Sequence, residues 1–436
     1  MLAIIGPGIV VVGSVIGAGE LINTPLQAAE FGFVLLWAVV LSCVIKCLLQ
    51  IEIGRHCVVH HRTTVEALNG CPGPRLRGVS WAPLLYMVGY TISLATAVGI
   101  IGALAGLMQA VVPGAADWPY SSSLWGAAVV ALAAALLRTG VYSHLEKLVA
   151  VLVGGFCISV VVALALIQTT PFRIGADDVL SGLTFSLGDR PRLAAYAVVS
   201  LLGALGTTAN ELFMYPYWIR EKGYGRDLLD ARGEVWTSRA QRWIRGLRID
   251  VGLATFVATV ATVAFYLLGA AVLHRQAVKP AGLGVVEQIS QVFTKSQGAW
   301  SYAVFMAGAF CTLFSTLVVA TAATGRMWAD VLGSMGFIDR SSEQAVRRAH
   351  KAVQLIYLAG MLAAFLAFEQ LGQTPARLVV FGQFFAGVFN TPLIMFGICW
   401  IAFRTDQRVR MRPATAVALV TSAAIITACI LAGVAI

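Results

Sequence analysis

Apolar residues in this chain do not alternate. They come in long runs separated by short polar connections. About 20 mostly apolar residues cross a bilayer as a helix. Eleven such runs can be read, near residues 4–29, 33–54, 81–112, 123–139, 146–169, 194–220, 249–273, 299–326, 350–369, 377–403 and 413–436. The pattern predicts an all-α polytopic membrane protein of eleven spans. A transmembrane β-barrel would need many alternating segments of about ten residues, and none is present. The first run has no basic leader and no A-x-A site, and a second run follows at once, so it reads as a span and not as a cleavable signal.

Composition agrees with the pattern. The 436 residues are 58% hydrophobic and 12% charged, with a mean hydropathy of +0.81. A soluble domain has about a quarter of its residues charged. A soluble enzyme and a nucleic-acid-binding protein are therefore excluded, although the net charge is +10. The positions of the charges explain that excess. With the N-terminus inside, 23 of the 31 Lys and Arg fall in inner loops and 7 in outer loops, and Lys46 lies within span two. This positive-inside bias predicts a cytoplasmic N-terminus and an external C-terminus in the plasma (inner) membrane. None of the eight cysteines falls in a predicted outer loop, so no disulfide framework is expected. Phosphate-binding loops, H-E-x-x-H and Ser/His/Asp arrangements are absent, so neither an enzyme nor a bound cofactor is expected.

Two spans are unusual. Span one carries Gly6, Gly8, Gly13, Gly17 and Gly19, then Glu20 and Pro25; span six carries Gly203, Gly206, Thr207, Thr208, Asn210 and Glu211, then Pro216. Glycine weakens a helix and proline removes a backbone donor, so both spans are predicted to break near mid-membrane. The segments match each other, Ala18-Gly19-Glu20-Leu21 against Ala209-Asn210-Glu211-Leu212. They open two five-span halves, predicted as residues 1–170 and 171–404, with residues 405–436 as an added span. Broken helices at matching positions of two halves point to a transport site. A carboxylate in the bilayer interior costs roughly 2.5–3.5 kcal/mol on insertion scales, so two at such breaks suggest a cation site. Carboxylates, amides, hydroxyls and unwound carbonyls suit a hard divalent ion. The competing reading makes Glu20 and Glu211 caps of the second half-helices.

The residues also resemble a known family. Gly6-Pro7-Gly8, the run from Leu48-Leu49-Gln50 through Arg55 to Glu66, Leu145-Glu146-Lys147 and Gly203-Ala204 through Asn210 are similar to stretches of the Nramp family of divalent metal transporters. The resemblance implies a LeuT-type fold of two inverted five-helix repeats plus an eleventh helix. It also implies differences. The family's DPGN motif is replaced by Gly17-Ala18-Gly19-Glu20, and its MPHN motif by Thr207-Thr208-Ala209-Asn210. An acidic pair in its third span, associated with a proton route, maps onto Ser93 and Thr96. Loss of the thioether ligand removes a preference for softer metals. Loss of the His and the acids removes the usual proton carriers. A branch of the family with similar losses transports Mg²⁺ without proton coupling.

The leading expectation is a monomeric transporter or facilitator of a divalent cation, Mg²⁺ or Mn²⁺, in the lipid bilayer. Its site would hold Glu20, Asn23, Thr207, Asn210 and Glu211, with Gly17 at the first break. Gln383 and the Asn390-Thr391-Pro392 kink of span ten also point there, although Gln383 and Pro392 are spaced one residue off the family pattern. Lys46 is expected to pair with an acid such as Glu20, and with Ser93 and Thr96 to mark a coupling route. The alternative is a carrier of a small organic or amine substrate on the same fold. Three further readings are plainer. Glu52 is expected to snorkel from the end of span two. His56, His60 and His61 read as a solvated loop, because adjacent His60 and His61 cannot share one helical face. The basic segment from Arg226 to Arg248 reads as topology bias or an amphipathic helix on the inner leaflet.

Overall fold

The chain is described by a computed structural model covering the backbone of residues 17–139, 142–205, 208–372 and 374–435, with the side chains of residues 139, 142–152 and 434–435 outside the description. Among the described residues, nine helical segments are long and apolar enough to cross a membrane. They correspond to spans two to four and six to eleven of the sequence pattern. Span five is the helix Tyr142–Leu166. Span one is described from Gly17, as a π-helical turn Gly19–Asn23 running into the helix Thr24–Phe31; Gly6, Gly8 and Gly13 lie outside the described residues. A small hairpin, Arg75–Leu76 against Val79–Ser80, links spans two and three. Span six is the most enclosed of the nine, and spans nine and eleven the least.

Three expectations are corrected at the basic end of the molecule. Span two runs to His60, past the boundary that its last apolar residues suggest. Glu52 does not snorkel: it is fully buried and ion-paired with Arg55, also fully buried. Arg55 donates further to the carbonyls of Val409 (2.8 Å) and Ala402 (3.3 Å), so its fork ties span two to the connection between spans ten and eleven. Burying both charges is tolerable because each finds an opposite charge and the remaining donors find carbonyls. The histidines are not a solvated loop either. His56 is buried with Nδ1 3.0 Å from the Thr405 hydroxyl, the His60 ring packs against it at a tilt, and His61 ends the helix with a left-handed backbone (φ +52°). Residues from Gly233 onward are the start of span seven, one continuous helix Gly233–Leu268 and not a separate amphipathic helix. Trp243 donates to Asp227 and Arg408 stacks over Trp236, so this stretch docks on its own protein.

The buried apolar residues form two large clusters. One gathers spans two and six, the first half of span three, and the far halves of span ten and span eleven. The other gathers spans four, five and nine, the second half of span three, the first part of span eight and the near end of span ten, and span seven contributes to both. Backbones approach closely where spans six and ten cross. A Cβ on Gly203 would stand 1.9 Å from the Gln383 carbonyl oxygen, and one on Gly387 would stand 2.2 Å from that of Val199. Membrane helices use small residues for this purpose, because packing replaces the missing hydrophobic drive between them. Gly203→Ala is therefore expected to destabilise by about 1–3 kcal/mol. Gly360→Ala, which meets open space, should be neutral or slightly stabilising. Thermal unfolding of the detergent-solubilised variants measures the contrast; equal midpoints would contradict the close crossing.

Candidate functional site

The described part of span one starts at Gly17, where the sequence predicts a break. The Gly17 N–H donates to Glu20 Oε2 at 3.0 Å, and its carbonyl accepts from Leu21 N–H at 2.9 Å. A helix start leaves donors without partners. A glutamate three residues in reaches back to one of them and places negative charge at the positive end of the helix dipole. Pro25 follows closely on the π-helical turn Gly19–Asn23, where the backbone already departs from α-helical bonding and the N–H that proline lacks disturbs least.

Span six repeats the arrangement. Its first half, Pro191–Ala204, gives way to extended backbone at Leu205 (ψ 156°), and its second half, Ala209–Glu221, starts after Thr208. Gly206 and Thr207 lie outside the described residues. The Thr208 N–H donates to Glu211 Oε2 at 2.8 Å, and the Glu211 N–H donates to the Thr208 hydroxyl at 3.4 Å. Both glutamates thus cap, from the same position relative to their breaks. The carbonyl end of the first half-helix is served from span two: Lys46 Nζ donates to the Leu205 carbonyl at 2.6 Å. The expected pairing of Lys46 with an acid is corrected by this contact. The two breaks abut, since a Cβ on Gly19 would lie 2.7 Å from the Ala204 carbonyl oxygen.

Where they meet, a cavity of about 130 Å³ opens. That is room for roughly four waters at liquid density. Gly17, Glu20, Asn210, Glu211, Gln383, Ser93 and Thr96 all line it, so the structure brings most of the expected site together. Glu20 and Gln383 are buried, and each keeps an oxygen, Oε1, without a hydrogen-bond partner. Asn210 Oδ1 accepts from the Tyr86 hydroxyl at 2.8 Å. Ser93 accepts from Asn390 at 3.3 Å. Asn23 is not among the lining residues. It is fully buried behind the break, donating to the Ser200 hydroxyl (3.0 Å) and accepting from Gln27 (2.9 Å), so it joins span one to span six. Gly17 faces span eight, where Thr316 Oγ1 would lie 2.7 Å from an added Cβ. Among the described residues no cluster of three His, Cys, Asp or Glu is placed to hold a metal, so any cation here would rely on amide, hydroxyl and backbone oxygens as well.

Sequence reasoning missed several lining residues. Thr208 forms a T-x-x-E capping box that its spacing to Glu211 announces. Met214 lies four residues beyond Asn210, hence on the same helical face. Met214 and Met327 return thioethers to the wall although the family's methionine position is Thr207. Tyr90 also lines the cavity and is hydrogen-bonded to Thr324, tying span three to span eight. Ion pairs gather at both ends of span two. At one end Glu66 meets Arg220 and Arg340, each at 3.3 Å, and Tyr217 donates to Asp330 at 2.6 Å. At the other, Glu30 is paired with Arg190 and with Lys279 (2.9 Å).

A broken span six and the π-helical turn of span one, meeting at a buried cavity with a few polar groups in a mostly apolar wall, fit a membrane transporter of the LeuT type. Comparison gives the particular family. The family model "Natural resistance-associated macrophage protein-like" matches residues 8–436, and the chain belongs to this Nramp family. Among solved structures it is similar to a mutant of the Eremococcus coleocola manganese transporter, at 16% identity over 99% of this chain and 85% of that one, with a TM-score of 0.67. The same transporter in complex with an aromatic bis-isothiourea substituted compound gives 16%, 99%, 85% and 0.66. MhsT in complex with L-phenylalanine gives 15% identity, 98% of each chain and 0.64. No curated protein matches in sequence.

The capping geometry generates a prediction. Glu211→Gln retains an acceptor for the Thr208 N–H and should fold with near-unchanged stability, whereas Thr208→Ala should lose about 1 kcal/mol. Thermal unfolding in detergent separates them; a Gln variant as unstable as the Ala variant would deny the cap.

Proposed function

We propose that the chain carries a divalent metal cation, Mg²⁺ or Mn²⁺, across the membrane by alternating access. One observation carries the reading: beside the break in span six, buried Glu20 and Gln383 both line one cavity, and each keeps an oxygen without a hydrogen-bond partner. Glu20, Asn210, Glu211 and Thr207 are the proposed ligands, with Gln383 beside them and Gly17 leaving the break open. A mainly oxygen set favours hard ions. The nearby thioethers of Met214 and Met327 keep Mn²⁺ in contention, and the solved manganese transporters of similar fold accord with that.

Alternating access is the mechanism expected for a site at broken helices, and ion pairs at opposite ends of the molecule can open in turn. Residues 1–170 and 171–404 are the proposed inverted repeats. Ser93 and Thr96 stand where the family's acids would be, so transport is proposed to run without that proton coupling. The basic bias supports an N-terminus in the cytoplasm and a C-terminus outside, in the plasma (inner) membrane, and the chain is proposed to act as a monomer.

Uptake into proteoliposomes tests the reading. Wild type should accumulate Mn²⁺ or Mg²⁺ without acidifying the lumen, and Glu20→Gln should slow uptake at least about tenfold, equivalent to roughly 1.4 kcal/mol of lost interaction. Absence of uptake of either ion by folded wild type would overturn it. Saturable uptake of a small organic amine instead would favour Glu20 or Glu211 as partners of an ammonium group.

A further inference from the structure

Lys46 is fully buried on span two, behind the two breaks and outside the cavity lining. Its ammonium donates to the Leu205 carbonyl, the last of the first half of span six. The neighbouring Ala204 carbonyl faces Gly19 across the joint between the breaks. By these contacts Lys46 is anchored beside Gly19, the residue before Glu20, and three residues ahead of Thr208, whose N–H Glu211 caps. Repairing a broken backbone does not require it. A neutral amide on a side chain of similar reach would satisfy the same carbonyl without burying an ion, which is costly inside a bilayer. What an ammonium does and an amide cannot do is act on other ions. In a medium of low dielectric, a fixed positive charge beside two carboxylates repels any cation that approaches them.

We propose that Lys46 is a tethered cation of the transport site, which holds down the affinity for the transported ion and speeds its release. The inference rests on the reading of the cavity as a cation site. A carrier whose ligands include two buried carboxylates would otherwise bind a divalent ion tightly and turn over slowly. An opposing charge, anchored on the half-helix that ends at the site, offsets part of that attraction. Because the ammonium holds the Leu205 carbonyl, it also keeps that end of span six against the first break. Lys46 is therefore a positioning and specificity-determining residue, acting through its field rather than by touching the ion.

The test separates charge from hydrogen bond. Lys46→Gln keeps a donor and loses the charge, Lys46→Met loses both, and Lys46→Arg keeps both. Initial rates of Mn²⁺ and Mg²⁺ uptake are measured in proteoliposomes against ion concentration. Lys46→Gln and Lys46→Met should lower KM by about tenfold and lower the maximal rate, while Lys46→Arg stays within about twofold of wild type. A folded Lys46→Gln with wild-type KM and maximal rate would overturn the proposal and leave Lys46 as a backbone cap. If Lys46→Gln and Lys46→Met both fail to fold while Lys46→Arg folds, the charge is a requirement of the fold and the proposal likewise falls. Uptake of neither ion by wild type would overturn the cavity reading and this inference with it; uptake with an unchanged KM in Lys46→Gln would overturn this inference alone.

Discussion

A helix interrupted inside a bilayer exposes backbone donors on one side of the break and acceptors on the other, and hydrocarbon offers no water to take them. The centre of this molecule is organised around that constraint. Glu20 takes the Gly17 N–H; Thr208 and Glu211 close a reciprocal box at the second break; Lys46 takes the Leu205 carbonyl. The repair at Glu20 uses one of its two oxygens and leaves Oε1 without a hydrogen-bond partner. The choice between glutamates as caps and glutamates as ligands is therefore not a choice between exclusive roles, because a carboxylate has two oxygens and a cap uses one.

Packing holds the breaks in contact. Gly203 lies on the Gln383 carbonyl, Gly387 on that of Val199, and Gly19 on that of Ala204, so spans one, six and ten meet backbone to backbone. Side chains larger than hydrogen at these points would push the ligand-bearing segments apart. The cavity is small because its walls include main chain, and its oxygens converge for the same reason.

Much of this was legible in the sequence. The spans follow from run length, and the two breaks from glycine and proline placed beside buried carboxylates at matching positions. Lys46 was visible as an anomaly in span two, but its partner was not, because that partner is a carbonyl and carbonyls leave no trace in sequence. Asn23 looked like a site residue from its nearness to Glu20. Three residues on, a widened turn had begun to direct it toward Ser200 on span six. Glu52 and Arg55, three apart on one helix, could be read as a snorkelling end only while the connection from Ala402 to Val409 was not known to fold over them. Long-range contacts of this kind are set by tertiary packing, which local composition does not encode.

The π-helical turn Ala386–Asn390 in span ten lies between Gln383 and Pro392. A turn of this kind is wider than an α-turn and holds an additional residue. In a regular α-helix one extra residue would rotate everything beyond it by about 100°, carrying the later half of span ten off its neighbours. The bulge confines the disturbance to one turn, so Gln383 before it and Ile394 beyond it both stay buried. The extra residue is absorbed where span ten passes the cavity, at Ala386, and the apolar face beyond still meets its neighbours.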